Sequence, residues 1–184
     1  MKIIVFSEKG GSGKTTLSVH LAVALGLPLL DLDPQQSARK WLERREPPHP
    51  LLNPDARLPD AYVIDSPPGL SASVIRYLEG ADVAVLPVRA SFNDLVILTD
   101  AVAFMEEHAQ KVAVVGADID LRSNDLDSLK EIMQWFPTVA YIGHMSHRAA
   151  YRRAGLAGKL AGEVDPVAKD ELVALVKGLK RILR

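Results

Sequence analysis

The order of segments in this chain predicts an α/β fold, with a mostly parallel twisted sheet and helices on both faces in a single domain. Three observations point to it. Short apolar runs of strand character alternate regularly with helical patterns along the whole length. Two of the early runs end in aspartate- and proline-containing turns, Asp31 to Gln35 and Asp65 to Gly69, of the kind that open α/β sheets place at the carboxyl ends of their strands. The 184 residues, 48% hydrophobic and 24% charged, have ordinary globular composition and enough length to bury one full core.

Taken in order, Lys2 to Ser7 reads as a buried strand. After a glycine-rich turn, Thr15 to Leu25 places Leu17, Leu21 and Leu25 on one helical face, and Gly26 ends it. Pro28 to Asp33 is the second strand, followed by a polar helix over about Gln36 to Arg45 with Trp41 and Leu42 as anchors. Five of the twelve prolines fall between Glu46 and Asp60, which forbids a regular helix or inner strand and predicts a surface loop. Ala61 to Ile64 is the third strand. A helix over Ser71 to Glu79, a strand Val83 to Val88, a helix Asn93 to His108, a strand Val112 to Ala117, a helix Leu126 to Phe136 and a strand Thr138 to Ile142 continue the alternation. Ser146 to Arg184 reads as two helices parted by Gly162 to Pro166. The second carries Leu172, Val176, Leu179 and Leu183 at helical spacing, with Lys177, Lys180, Arg181 and Arg184 off that stripe.

The chemistry is concentrated where the first strand gives way to the first helix, in Lys9-Gly10-Gly11-Ser12-Gly13-Lys14-Thr15-Thr16. Glycines let the backbone turn its N–H groups inward, and the helix that follows presents its positive end, so the loop suits a polyphosphate. Lys14 is placed to neutralise the β- and γ-phosphates, and the Thr15 hydroxyl to ligate Mg²⁺. Glu8 stands where a strict Walker A box has its first glycine, and the loop has lysines at both 9 and 14. At the third strand end, Asp65 falls where a carboxylate approaches the magnesium shell, and Gly69 can offer a backbone N–H to a γ-phosphate.

With no cysteine, the chain has no disulfide and no thiolate-held metal or iron–sulfur cluster. No apolar run reaches the ~20 residues of a membrane span, and residue 2 goes straight into a strand, so the expected compartment is the cytoplasm. The net charge of −1 hides an asymmetry. Residues 1–143 hold 13 Lys and Arg against 19 Asp and Glu, whereas residues 144–184 hold 9 against 4. A basic face for a polyanion and a solvated helix surface both account for such a block.

These motifs in register resemble the ParA/MinD ATPases, P-loop NTPases with a deviant Walker A box. The matches are Lys9 to Thr16 for that box, Asp31 to Gln35 for the switch I box and Asp65 to Gly69 for the switch II box. More loosely, Ala81 to Val88 and His147 to Tyr151 are similar to later family segments. The resemblance implies a homodimer sandwiching ATP, with Lys9 reaching the partner's phosphates in trans, Lys14 and Thr15 holding phosphate and Mg²⁺, and Thr16 contacting the α-phosphate. It implies that Asp33 orients the attacking water, that Thr15, Asp33 and Asp65 serve the metal, and that Asp31 touches a metal-bound water. The phosphate cradle comprises Gly10, Gly11, Ser12 and Gly13. Adenine is expected near Ala117-Asp118 and Met145 to Arg148, although Asp118 and Asp120 also read as loop or capping residues.

Because the first strand begins at residue 2, the expectation is a short, ParF-like partition ATPase without an N-terminal DNA-binding domain. It would be nucleoid-associated, bind DNA non-specifically and answer to a ParB-type or ribbon-helix-helix centromere-binding partner. Arg148, Arg152, Arg153 and Lys159 are the expected DNA contacts, with no membrane partner. Three rival readings stand beside it. They are a MinD-like membrane-cycling ATPase using the basic C-terminal helix, a dethiobiotin-synthetase-like ligase, and a ParA-like positioner of a protein cargo.

Overall fold

Six parallel strands form one sheet in the order β2-β3-β1-β4-β5-β6, and the first strand therefore lies inside it. The computed structural model describes residues 1–184, apart from the side chains of Phe92, Asn93, Leu95, Val96 and Ile97. The strands are β1 (Lys2–Val5), β2 (Leu29–Asp31), β3 (Tyr62–Asp65), β4 (Val83–Val88), β5 (Val112–Ile119) and β6 (Ala140–Ser146). The helices are α1 (Lys14–Leu25), α2 (Ser37–Leu42), α3 (Ala72–Glu79), α4 (Phe92–His108), α5 (Asp125–Met133), α6 (Ala149–Ala157) and α7 (Pro166–Ile182), with a short 3₁₀ turn at Ala161–Glu163.

The strands are apolar on both sides because both faces are covered. Ile3 and Val5 point into a core shared with α1, α2, α6 and α7, where Leu17, Leu42, Ala154 and Leu175 are buried. Ile4 and Phe6 point into the opposite core, closed by Val74 and Leu78 of α3, Leu98 and Met105 of α4, and Leu129 of α5. The predicted alternation holds throughout, with element ends shifted by a few residues. Two strands run further than their apolar patterns, β5 to Ile119 and β6 to Ser146, because the ladder continues past a register shift at Ala117/Ile119.

The proline-rich stretch is a loop, as its composition predicts, but it is pinned to the sheet edge. Leu51 bridges to Leu29, and Leu52 N–H donates to the Leu29 carbonyl at 2.8 Å. The apolar stripe of α7 is spent on the sheet and α1. Leu172, Leu175 and Leu179 are buried, and Gly178 lies so close to β6 that a Cβ there would sit 2.7 Å from the Ile142 carbonyl oxygen. Among the described residues no helix is long and apolar enough to cross a membrane.

From β1 the chain runs out to β2 at the sheet edge, returns to β3 beside β1, and then crosses to the other side for β4, β5 and β6. Such a reversal opens a crevice at the carboxyl ends of the central strands, and the glycine loop after β1 stands there.

Candidate functional site

The loop from Ser7 to Gly13 is built around two glycines in the left-handed region, Gly11 at φ 73° and Gly13 at φ 99°. Gly13 is the N-cap of α1 and offers no side chain to that helix's first N–H groups, which are left for a ligand. Lys14 is buried, and its ammonium donates to the Lys9 carbonyl at 2.9 Å, folding back across the loop. Burial pushes its pKa down, opposed by the carboxylates of Asp65 and Asp33. Lys9 points elsewhere. Its ammonium, on a side chain 47% exposed, pairs with Asp94 Oδ1 at 2.7 Å in the first turn of α4. One loop thus holds two ammonium groups, one inside the cradle and one at its rim.

Asp65 ends β3 completely buried. Its Oδ1 lies 2.9 Å from Ser18 Oγ, and its Oδ2 has no hydrogen-bond partner. Burial pushes its pKa up to about 7, with the Thr15 and Ser18 hydroxyls holding it back and the carboxylates of Asp31 and Asp33 adding to the rise. Ser18 has one proton for two acceptors at 2.9 Å, Asp65 Oδ1 and the Lys14 carbonyl. A protonated Asp65 removes that conflict by donating in turn. Ser12 Oγ and Ser66 Oγ are likewise buried without partners. An orphaned carboxylate oxygen and an orphaned loop hydroxyl, beside a lysine and free helix N–H groups, fit the metal-bound triphosphate that the sequence implies. Thr15 and Asp65 are the residues that would hold the ion.

Asp31 differs from its expected role. Its two oxygens accept the backbone N–H groups of Asp33 (3.0 Å) and Arg39 (2.9 Å), so it shapes the switch I turn and the start of α2 rather than facing a cation. Asp33 is partly exposed, and its Oδ1 accepts from Gln35 N–H at 2.8 Å. Gly69, at φ 82°, follows β3 in a partly exposed turn.

Beside the loop is a cavity of about 440 Å³. Ser12, Gly13 and Thr16 form its phosphate-loop side. The ends of three strands contribute Arg89, Asp118 and His147, with Trp41, Tyr151 and Arg152 opposite. The expected base-side residues, Ala117-Asp118 and Met145 to Arg148, all line it. Asp118 takes φ 60°, a conformation that aspartate tolerates. Its carboxylate accepts from His147 Nδ1 at 2.7 Å and pairs with Arg89 at 3.5 Å. Asp120 lies apart, on the exposed loop before α5, paired with Arg122.

The four predicted polyanion contacts separate. Arg153 and Lys159 are exposed; Arg152 is exposed on the cavity wall. Arg148 does not belong with them. Its guanidinium is held inward by Ser146 Oγ (2.8 Å), Asp165 (3.4 Å) and Glu171 (3.8 Å), because the buried Glu171 carboxylate needs a positive charge nearby. Glu171 also accepts from Ser146 N–H and from Tyr151 O–H at 2.6 Å. Neither Glu171 nor Asp94 was singled out from the sequence. For Glu171 a signal existed, a carboxylate on the buried side of α7 between Ala168 and Leu172; for Asp94 and Arg89 none did.

The model of the CobQ/CobB/MinD/ParA nucleotide binding domain matches residues 3–183. The chain belongs to that family. Within it, the chain is 37% identical over 117 residues to the maintenance of carboxysome distribution protein A of Gloeobacter kilaueensis, a match spanning 54% of each. It is 25% identical over 181 residues to the protein of the same name from Halothiobacillus neapolitanus, covering 85% of this chain and 84% of that one. Among solved structures, apo McdA of Cyanthece superposes with a TM-score of 0.79 at 17% identity, covering 100% of this chain and 99% of the other, a likeness of fold.

Proposed function

We propose that this family member is a Mg²⁺-dependent ATPase that dimerises on ATP and positions a large protein assembly, with non-specific DNA as its track. The observation that carries the reading is the division of labour in the phosphate loop, with Lys14 turned into the cradle and Lys9 at the rim. That arrangement suits a site completed by a second copy. Phosphoryl transfer needs charge neutralisation and a placed water, and little covalent chemistry from the protein. Lys14 supplies positive charge, Asp33 orients the water, and Gly69 offers its N–H to the terminal phosphate. Bound Mg²⁺, held by Thr15 and Asp65, supplies further neutralisation of the phosphate oxygens.

Protein cargo is preferred over plasmid DNA because two curated relatives are named for carboxysome distribution. Plasmid partition with a ParB-type or ribbon-helix-helix partner is the second reading, favoured by the exposed Arg153 and Lys159. A MinD-like membrane role has less support, since the apolar stripe of α7 already covers β6.

Phosphate release from Mg·ATP without any acceptor tests the reaction. Lys14→Gln abolishes it, Asp33→Ala retains ATP in a locked dimer, and Lys9→Ala binds nucleotide without dimerising. An ATP-dependent dimer unchanged in Lys9→Ala refutes the two-copy site. For cargo, the fluorescently tagged protein in its own cells follows a protein assembly and not a plasmid focus. Co-sedimentation with anionic liposomes and not with DNA would overturn the choice of track.

A further inference from the structure

His20 belongs to none of the motifs above, yet it touches three residues that line the cavity. Its Nδ1 lies 2.7 Å from the carbonyl oxygen of Thr16, and its ring packs edge-on against Trp41 (centroids 5.6 Å apart) and tilted against Tyr151 (5.4 Å). On the far side, Nε2 accepts the N–H of Ala161 at 2.9 Å, where the 3₁₀ turn of the tail begins. The imidazole is 1% exposed. We propose that His20 is a positioning residue for the nucleotide, tying α1, and with it Thr16, to the tail through Ala161 and to the two aromatic walls of the cavity. The assignment rests on the nucleotide reading of the site.

Only one form of the ring satisfies both neighbours. Nε2 must be the acceptor because Ala161 N–H has no proton to receive, so Nδ1 carries the hydrogen and donates it to Thr16. The neutral state is favoured by burial, which pushes the pKa down to about 4. The nearest charges, Glu163 of the 3₁₀ turn and Arg45 beyond α2, pair with each other at 2.8 Å. His20 thus ties three separate stretches of chain, the phosphate-loop helix, α2 and the tail, at one point behind the ligand space. The Thr16 bond runs one turn back along the same helix and only sets the rotamer of the ring. Losing the Ala161 bond unties α1 from the turn that follows α6, whose Tyr151 and Arg152 form the opposite wall of the cavity.

The two bonds are separable by amide substitution. In His20→Asn the side-chain NH₂ takes the place of Nδ1–H and keeps the Thr16 bond. In His20→Gln the side-chain carbonyl reaches the place of Nε2 and keeps the Ala161 bond. Both variants of the full chain are compared with wild type for Mg·ATP binding by calorimetry and for steady-state KM and kcat, after near-UV circular dichroism confirms folding.

We expect His20→Asn to raise Kd and KM for ATP about ten-fold, the worth of one buried hydrogen bond, with kcat within about two-fold. His20→Gln stays within about three-fold of wild type in both. A merely structural histidine lowers the melting temperature of the two variants without separating their KM values. Equal KM in the two, whether like wild type or both raised, overturns the proposal, as does a larger rise for Gln than for Asn. Failure of the wild-type chain itself to take up ATP overturns the nucleotide reading and this assignment together, and the wild-type titration shows which has failed.

Discussion

Asp65→Asn should make the nucleotide-free protein more stable, and increasingly so as the pH rises. The folded carboxyl titrates at about 7 against an ordinary 3.8, chiefly because it is buried. Between those values the unfolded chain has released its proton while the folded chain still holds it. The folded state therefore binds more protons, and stability falls as pH increases through the window and is level above it. A gap of about three pH units corresponds to about 4 kcal/mol. Asparagine has the same shape, keeps an oxygen for Ser18 and cannot ionise, so the stability difference between variant and wild type should widen by about 4 kcal/mol between pH 4 and pH 8. His20, whose pKa is lowered to about 4, acts with the opposite sign, since its share of stability is lost as pH falls from its unfolded value toward 4. It is common to both proteins and cancels in the difference. Urea unfolding at 25 °C at steps across this range measures the effect. Excess Mg·ATP should then stabilise wild type at pH 8 and do little for the variant. Parallel pH profiles for the two proteins would refute the argument, because they would mean that the wild-type carboxylate is ionised at no cost.

Other perturbations follow from the same geometry. Asp94→Asn releases Lys9 from its pair with α4, and since a half-exposed pair is worth up to about 1 kcal/mol, the ATP-dependent dimer should form at two- to five-fold lower protein concentration by analytical ultracentrifugation; an unchanged midpoint counts against the rim role of Lys9. Gly178→Ala should destabilise by about 1–3 kcal/mol in chemical denaturation, although alanine is the better helix former by about 1 kcal/mol, because its Cβ would collide with the Ile142 backbone. Arg153→Ala and Lys159→Ala should each reduce the slope of log binding constant against log salt for duplex DNA by about one. Arg148→Ala should instead lower the melting temperature, since it leaves the buried Glu171 carboxylate without its nearby positive charge.

Much of the fold was legible because its information is local. An apolar run of four to eight residues, a glycine that ends a helix and a proline cluster each act through neighbouring residues, and the glycine loop announces its chemistry by spacing alone. What sequence reasoning missed is what depends on distant partners. Lys9 and Asp94 are 85 residues apart, and Ser18 and Asp65 are 47 apart. No local pattern marks such pairs. The same limit explains Arg148. Counting charge in the tail made it a surface cation, but the count cannot show that Asp165 and Glu171 fold over it. Charge composition predicts an exposed face only for those residues the fold leaves unpaired.

The two acids at the ends of β2 and β3 show where hydrogen-bond accounting adds what motif matching lacks. Asp31 and Asp65 are register partners, so the sheet sets them at equal depth at the same end of the strands. Both are buried, and burial raises the pKa of both. In a motif they are interchangeable carboxylates before a turn. In the fold, Asp31 is satisfied by two backbone N–H groups of its own loop, whereas Asp65 keeps one oxygen with no partner. A satisfied buried acid has already done its work in shaping the loop. An unsatisfied one carries a desolvation cost that a cation can relieve, and that asymmetry marks Asp65 as the one of the pair suited to hold a metal ion.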